Sequence, residues 1–539
     1  MDIKINDTFL DEALAKVEAA HNWSPRVISK LENSIRTAND EVLFRISPLD
    51  WASQKGVDKY EAIDLFLHAA KAGLFYMEWD VICPCCGRIS QSLQDLHSLE
   101  SHSTCNLCFR KDVPNLDDSV QITFTLSPSV RSLRFHHPES LTLEEYCLEY
   151  LFEPSTILNG MIPIKDAVQN VQRHLSQFLP GEKITVETEV GVGALTCYDL
   201  FGQISFGLIA SGAPAVEPQK ISVKLTEDGF VVPLPKMEPG EFNVGLFEYA
   251  GTFYPISPGK VIIDFEQSSG AKAALLVAFL PIPLDDTQNI DIPAEDMSAE
   301  MNNLIDAFKE TSGTMQMLPN HTFTSPRLTA KQLFASQTFH DLFRAEVFQE
   351  AEGFGIKDVT ILFTDLKSST QLYQKIGDLN AYAMVREHYG VLNSAILNQH
   401  GAIVKTIGDA IMANFTQPVE AVAAGLEMLS GLRKLNQTSS YGGLVLKIGI
   451  HKGAAISVTL NNRIDYFGST VNIASRVQGS AGGDEIYLTE EIYNSDGVSE
   501  LLQKYDCQVE SALIELKGIY EQVKIYKVSA VESRKVVSG

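Results

Sequence analysis

The sequence predicts a chain of several domains: a helical, winged-helix-like module, a zinc-ribbon-like segment, an all-β region and a C-terminal α+β domain. Three observations predict this. Apolar residues near position 65 recur at helical spacing, two CxxC pairs follow, and glycines then punctuate alternating apolar runs. At 539 residues with 45% apolar content, the chain is long enough for roughly three or four cores. The net charge of -25 and pI near 4.9 exclude nucleic acid as a general partner. The longest apolar candidate, AALLVAFLPIP (273–283), is too short and proline-broken to insert in a membrane. MDIKINDT (1–8) lacks the form of a signal peptide, so a cytoplasmic protein is expected.

Residues 1–80 form the first expected unit. In YEAIDLFLHAAKAG (60–73), Ala62, Leu65, Phe66, Ala69 and Ala70 share a helix face, and Gly73 suits the helix end. LFYMEWDVI (74–82) reads as a strand. The acidic charge disfavours a DNA-binding version and favours a packing module.

Residues 81–118 form a zinc ribbon in this reading. Cys83, Cys86, Cys105 and Cys108 make two CxxC knuckles separated by 18 residues, suited to a tetrahedral Zn²⁺. Four thiolates leave no open position, so the ion would be structural. Cys85, His97 and His102 are bystanders.

Residues 119–290 read as an all-β regulatory region. Gly229, Gly240, Gly251, Gly259 and Gly270 recur every 8–11 residues, between runs such as KISVKL (220–225) and KVIIDF (260–265). The rhythm suggests hairpins of a sandwich or barrel. GVG (191–193) lacks the surroundings of a phosphate loop. Residues 291–350 are a linker ending in a helix within TAKQLFASQTFHDLF (329–343). Its apolar side packs on its own chain or on a second copy, and the sequence leaves both open.

Residues 351–530 carry the chemistry. VTILFT (359–364) is a buried strand ending at Asp365, and KSSTQLYQKI (367–376) opens a helix whose free N–H groups suit a triphosphate. GAIVKTIGDAIMANF (401–415) is a hairpin whose Gly408 permits a turn and whose Asp409 projects from it. Two strand-end carboxylates can hold hard cations. DYFGSTVNIASR (465–476) adds Asp465, and Asn472 and Arg476 follow four apart on one helix face.

Together, ILFTDLKSST (361–370), VKTIGDAIM (404–412) and DYFGSTVNIASR (465–476) resemble the catalytic domain of class III nucleotidyl cyclases, of ferredoxin-like α+β fold. The resemblance implies that Asp365 and Asp409 bind two Mg²⁺ or Mn²⁺ ions. It places Lys405 and Asp465 where adenylate cyclases carry the lysine and acid that read adenine. That match follows from polarity, since adenine offers a donor at N6 and an acceptor at N1. Asn472 would orient the ribose, Arg476 stabilise charge on phosphorus, and Lys517 in ELKG (515–518) contact the terminal phosphates. In this family each site is shared between two protomers, so a homodimer is expected. ATP is the expected substrate. The alternatives are a guanylate cyclase and a catalytically silent nucleotide-binding scaffold. GGDE (482–485) looks like a diguanylate cyclase signature but reads here as a turn before the strand IYL (486–488).

Overall fold

The computed structural model describes residues 4–84, 86–107, 110–112, 114–153, 156–158, 162–210, 212–234, 242–244, 247–249, 252–281, 322–323, 326–349, 352–369, 374, 377–438, 443–519 and 522–530. No described helix is long and apolar enough to cross a membrane.

The chain starts with helices Asp7–Ala20, Val27–Thr37, Asp40–Leu43, Pro48–Lys55 and Lys59–Lys71. The last begins where Asp58 accepts from the amides of Tyr60 and Glu61, and it buries Ala62, Leu65, Phe66 and Ala69. Just beyond it Gly73 has φ +87°, a left-handed conformation that suits glycine. The strand Phe75–Ile82 follows. It pairs antiparallel with Ile89–Leu93 and Val120–Leu126, and Leu328–Thr329 completes the sheet on the far side. One sheet thus ties residues from four of the expected sequence units.

Two sheets pack face to face over residues 172–281. The five-stranded one runs Phe253–Ile256, Ile204–Ala210, Gly193–Asp199, Ala273–Pro281, Gln172–Phe178, and the four-stranded one Gly229–Val231, Gln219–Thr226, Gly259–Gln267, Lys183–Val190. Alternation produces the core: Ile221, Val223 and Leu225 are buried while Lys220, Ser222 and Lys224 face water. The sandwich reading holds, but its strands are not all hairpins. Ile204–Ala210 pairs parallel with Phe253–Ile256, and Gln219–Thr226 with Gly259–Gln267. Gly229 and Gly259 have φ of +117° and +127° at strand starts. Gly240 and Gly251 lie outside the described residues.

The stretch expected to be all-β also contains helices Leu143–Tyr150 and Ile164–Val171. A capping box sets the first: Thr142 Oγ1 accepts from the Glu145 amide, while Glu145 reaches back to the Thr142 amide.

The linker motif forms two short helices, Ala330–Phe334 and Gln337–Leu342. Ala330, Leu333, Phe334 and Phe339 are buried, and Trp79 lies 6.1 Å from the Phe334 ring and 6.0 Å from that of Phe339. Of the two occupants left open for this apolar side, its own chain is the one present.

The last domain is a mixed sheet ordered Ala402–Ile407, Ala410–Phe415, Gly353–Leu366, Leu446–Leu460, Glu485–Thr489, Val523–Ala530, Cys507–Ile514, with Arg463–Phe467 beside Leu446–Leu460. Leu362, Ile411, Ala413, Ile448 and Ile450 share a core with buried residues of helices Asp378–Asn398 and Pro418–Thr438. Ile361, Phe363 and Met412 point the other way, into the core that includes the N-terminal helices. Further contacts fix the N-terminal region to this domain. The Leu116 amide donates to the Gly355 carbonyl at 3.0 Å, and Tyr60 stacks on His400 at 3.6 Å.

Candidate active site

Asp365 sits at the end of the central strand Gly353–Leu366, opposite Lys447. Asp409 follows Gly408, whose φ of +63° makes the tight turn between Ala402–Ile407 and Ala410–Phe415. The two strand ends are clamped together: the Ile411 amide donates to Thr364 Oγ1 at 3.0 Å. Burial raises the Asp365 carboxyl above the usual range, and the nearby Asp409 charge raises it further, against Lys447. Asp409 Oδ2 is buried without a hydrogen-bond partner among the described residues. A repelling carboxylate pair with an unmatched oxygen is a donor set that fits divalent cations.

Sequence reasoning missed two neighbours of Asp409. The Tyr389 hydroxyl donates to the Gly408 carbonyl and fixes the turn. His388 is fully buried with neither ring nitrogen bonded among the described residues, and burial pushes its pKa down to about 4, against the Asp409 charge. Both lie on Asp378–Asn398, where helical spacing alone reads as core.

Lys405 and Asp465 are 60 residues apart in sequence and meet in space, with Nζ donating to Oδ2 at 2.5 Å. Asp465 is buried, and the Tyr466 amide donates to its other oxygen at 2.8 Å. A donor and an acceptor therefore stand side by side.

Asn472 and Arg476 lie on helix Ser469–Ser480, which starts after Gly468. Asn472 is exposed and Arg476 half-buried. A Cβ on Gly518 would lie 3.4 Å from Arg476 Nη2, so the loop carrying exposed Lys517 adjoins the guanidinium. The structure thus gathers six of the seven predicted residues into three groups, Asp365 with Asp409, Lys405 with Asp465, and Arg476 with the Lys517 loop, while Asn472 shares only the helix of Arg476. Among the described residues, no hydrogen bond or ion pair joins one group to another. The triphosphate helix predicted from QLYQKI (371–376) falls largely outside the described residues.

The GGDE segment is a turn. Gly483 and Asp484 have φ of +121° and +57°, and the Asp484 amide donates to the Leu446 carbonyl at 2.6 Å before strand Glu485–Thr489.

In the N-terminal region Cys83, Cys86 and Cys105 are buried with their sulfurs within 4.8 Å of one another. Neither His97 nor His102 belongs to this cluster. Cys108 and Cys85 lie outside the described residues.

Two families match the chain. Residues 354–530 match the adenylate and guanylate cyclase catalytic domain, and residues 11–253 match a family of unknown function, DUF5939. An adenylate cyclase of Anabaena cylindrica is 30% identical over 187 residues, covering 32% of this chain and 37% of that one. The receptor-type adenylate cyclase GRESAG 4.2 of Trypanosoma brucei brucei is 26% identical over 214 residues, covering 33% and 37%. The chain thus spans little more than a third of the length of either relative. The crystal structure of the adenylyl cyclase CyaB from P. aeruginosa is 26% identical, with a TM-score of 0.29, covering 34% of this chain and 98% of that one. Over residues 354–530, therefore, the chain carries a domain of the adenylate and guanylate cyclase catalytic family, as its motifs imply.

Proposed function

We propose that this protein is an adenylate cyclase, converting ATP to 3′,5′-cyclic AMP and pyrophosphate at a site shared between two copies of the chain. The observation that carries the reading is the acid pair Asp365–Asp409, with its unmatched oxygen, alongside the donor–acceptor pair Lys405–Asp465. Asp365 and Asp409 would hold two Mg²⁺ or Mn²⁺ ions. When bound, such ions lower the pKa of the ribose 3′-hydroxyl and neutralise phosphate charge.

The remaining work falls to side chains. Lys405 donates to N1 of adenine and Asp465 accepts from N6; guanine presents the reverse polarity at both positions. This polarity favours ATP over GTP. Asn472 orients the ribose so that its 3′-oxygen lies in line with the α-phosphorus. As that O–P bond forms, the bond to the pyrophosphate oxygen breaks and the hydroxyl proton is lost. Arg476 stabilises the charge that builds on the phosphoryl oxygens, and Lys517 holds the terminal phosphates. The acids come from one copy, and Lys405, Asp465, Asn472 and Arg476 from its partner.

In the N-terminal region, Cys83, Cys86, Cys105 and Cys108 would hold a structural Zn²⁺ that closes the turn beyond strand Phe75–Ile82. The region that precedes the catalytic domain would regulate it. The test is product analysis of purified protein supplied with Mn²⁺ and either ATP or GTP. Cyclic AMP formed in clear preference to cyclic GMP supports the proposal. Equal or reversed yields would remove the base-reading argument, and absence of both products would remove the cyclase.

A further inference from the structure

We infer that Asn414 is a positioning residue for purine recognition, through which the linker helices hold the Lys405–Asp465 pair. The inference rests on the adenylate cyclase reading and extends it to how the N-terminal region bears on that site.

Asn414 lies on strand Ala410–Phe415 and is 1% exposed. An amide in that position is costly unless bonded. Its Nδ2 donates in two directions, to the Phe334 carbonyl at 3.1 Å and to the Tyr466 hydroxyl at 2.7 Å. The first partner is the last residue of linker helix Ala330–Phe334, whose terminal carbonyls lack intrahelical donors. The second is buried and adjoins Asp465, whose carboxylate takes both the Tyr466 amide and Lys405.

The lysine half of the pair is held from the same linker. Strand Ala402–Ile407 shifts register between Ile403 and Lys405, a bulge of the kind that re-aims a side chain. The Ile403 amide donates to Gln337 Oε1 on the second linker helix at 2.9 Å. Both linker helices in turn pack Phe334 and Phe339 against Trp79 of the N-terminal sheet. Contacts therefore run from Trp79 through Phe334, Asn414 and Tyr466 to Asp465, and from Gln337 through Ile403 toward Lys405. None of these bonds involves Asp365 or Asp409. A shift of the linker would thus alter how the base is held before it altered the metal-binding acids.

The test uses the full chain with N414L, which keeps volume and loses the amide, and Y466F, which removes only the hydroxyl. KM for ATP and the ratio of kcat/KM for ATP over GTP are measured for each and for the double variant. The expected result is a rise in KM and a fall in the ratio of roughly three- to tenfold, the scale of one lost hydrogen bond. The double variant should lose less than the product of the two singles, because the residues act as one network. If N414L does not fold, Y466F alone carries the decision. An unchanged ratio in an active, folded variant overturns the inference, and so does an equal loss for both nucleotides, which marks a merely structural role. A wild-type protein that cyclises neither nucleotide instead removes the cyclase reading, and this inference falls with it.

Discussion

Gly449→Ala should displace the helix that carries Asn472 and Arg476. Gly449 lies on strand Leu446–Leu460, directly beneath helix Ser469–Ser480. A Cβ there would lie 2.2 Å from the Gln478 amide nitrogen and 2.5 Å from its Cα. Both atoms are backbone, so no side chain can swing aside. Ordinary van der Waals contact begins at 3.4 Å, so the helix must retreat by roughly 1.2 Å. Overpacking of this kind costs about 1–3 kcal/mol. A shift near 1 Å in a substrate-positioning group can cost about 10²-fold in rate. Gly479→Ala is the control, because it is on the same helix and its Cβ would meet nothing within 4 Å. Urea denaturation and cyclic nucleotide formation should both separate the two variants. G449A should unfold at lower urea and lose most activity, while G479A should match or slightly exceed wild-type stability. A G449A protein with the wild-type urea midpoint and rate would refute the close approach of strand and helix.

Asp365→Asn should abolish activity yet raise the melting temperature at neutral pH without divalent cation. The reason is one of sign: a carboxyl raised in the folded state loses stability as pH climbs past its ordinary 3.8, and the amide carries no such charge. Fluorimetric melting with and without Mn²⁺ checks this, since Mn²⁺ should stabilise the wild type far more than D365N. D365A and R476A should each be inactive alone and partly active when mixed, as a site shared between copies requires. No recovery in verified heterodimers would count against it. Purified protein should contain about one Zn²⁺ per chain by elemental analysis, and C83S should lower that content. Full occupancy in C83S would exclude Cys83 as a ligand.

How much of this was legible depends on the range of the interaction. Asp365 and Asp409 were legible because each ends a strand whose apolar run is local. The sandwich was legible from alternation such as Ile221, Val223, Leu225, but its parallel pairings were not, because strand partners over 40 residues apart leave no local mark. The pairing of Leu328–Thr329 with Val120–Leu126, which closes the first sheet, was hidden for the same reason. Helix Leu143–Tyr150 carries a local signal in the Thr142–Glu145 capping box, which the all-β reading, drawn from glycines at 229–270, passed over. Asn414 was the least legible residue of the proposed site. A lone polar residue in the strand Ala410–Phe415 gives no local sign of its partners, which lie 80 residues away at Phe334 and 52 residues away at Tyr466.

Charge decides what the site must recruit. The protein carries a net charge of -25, and Asp365 and Asp409 add to the local negative potential. Two lysines adjoin that corner, but each donates to a main-chain carbonyl: Lys367 to Gly482 at 2.8 Å and Lys447 to Gly479 at 2.9 Å. They tie the GGDE turn and the end of helix Ser469–Ser480 to the strands, so phosphate would have to compete for them. A triphosphate approaching Asp365 and Asp409 therefore needs charge from elsewhere. On the proposed reading, bound dications supply it at the acids, and Arg476 and Lys517 supply it from the partner copy. The same argument orders events: with both acids ionised and no cation bound, nucleotide is repelled, so cation and nucleotide should bind with strong positive coupling.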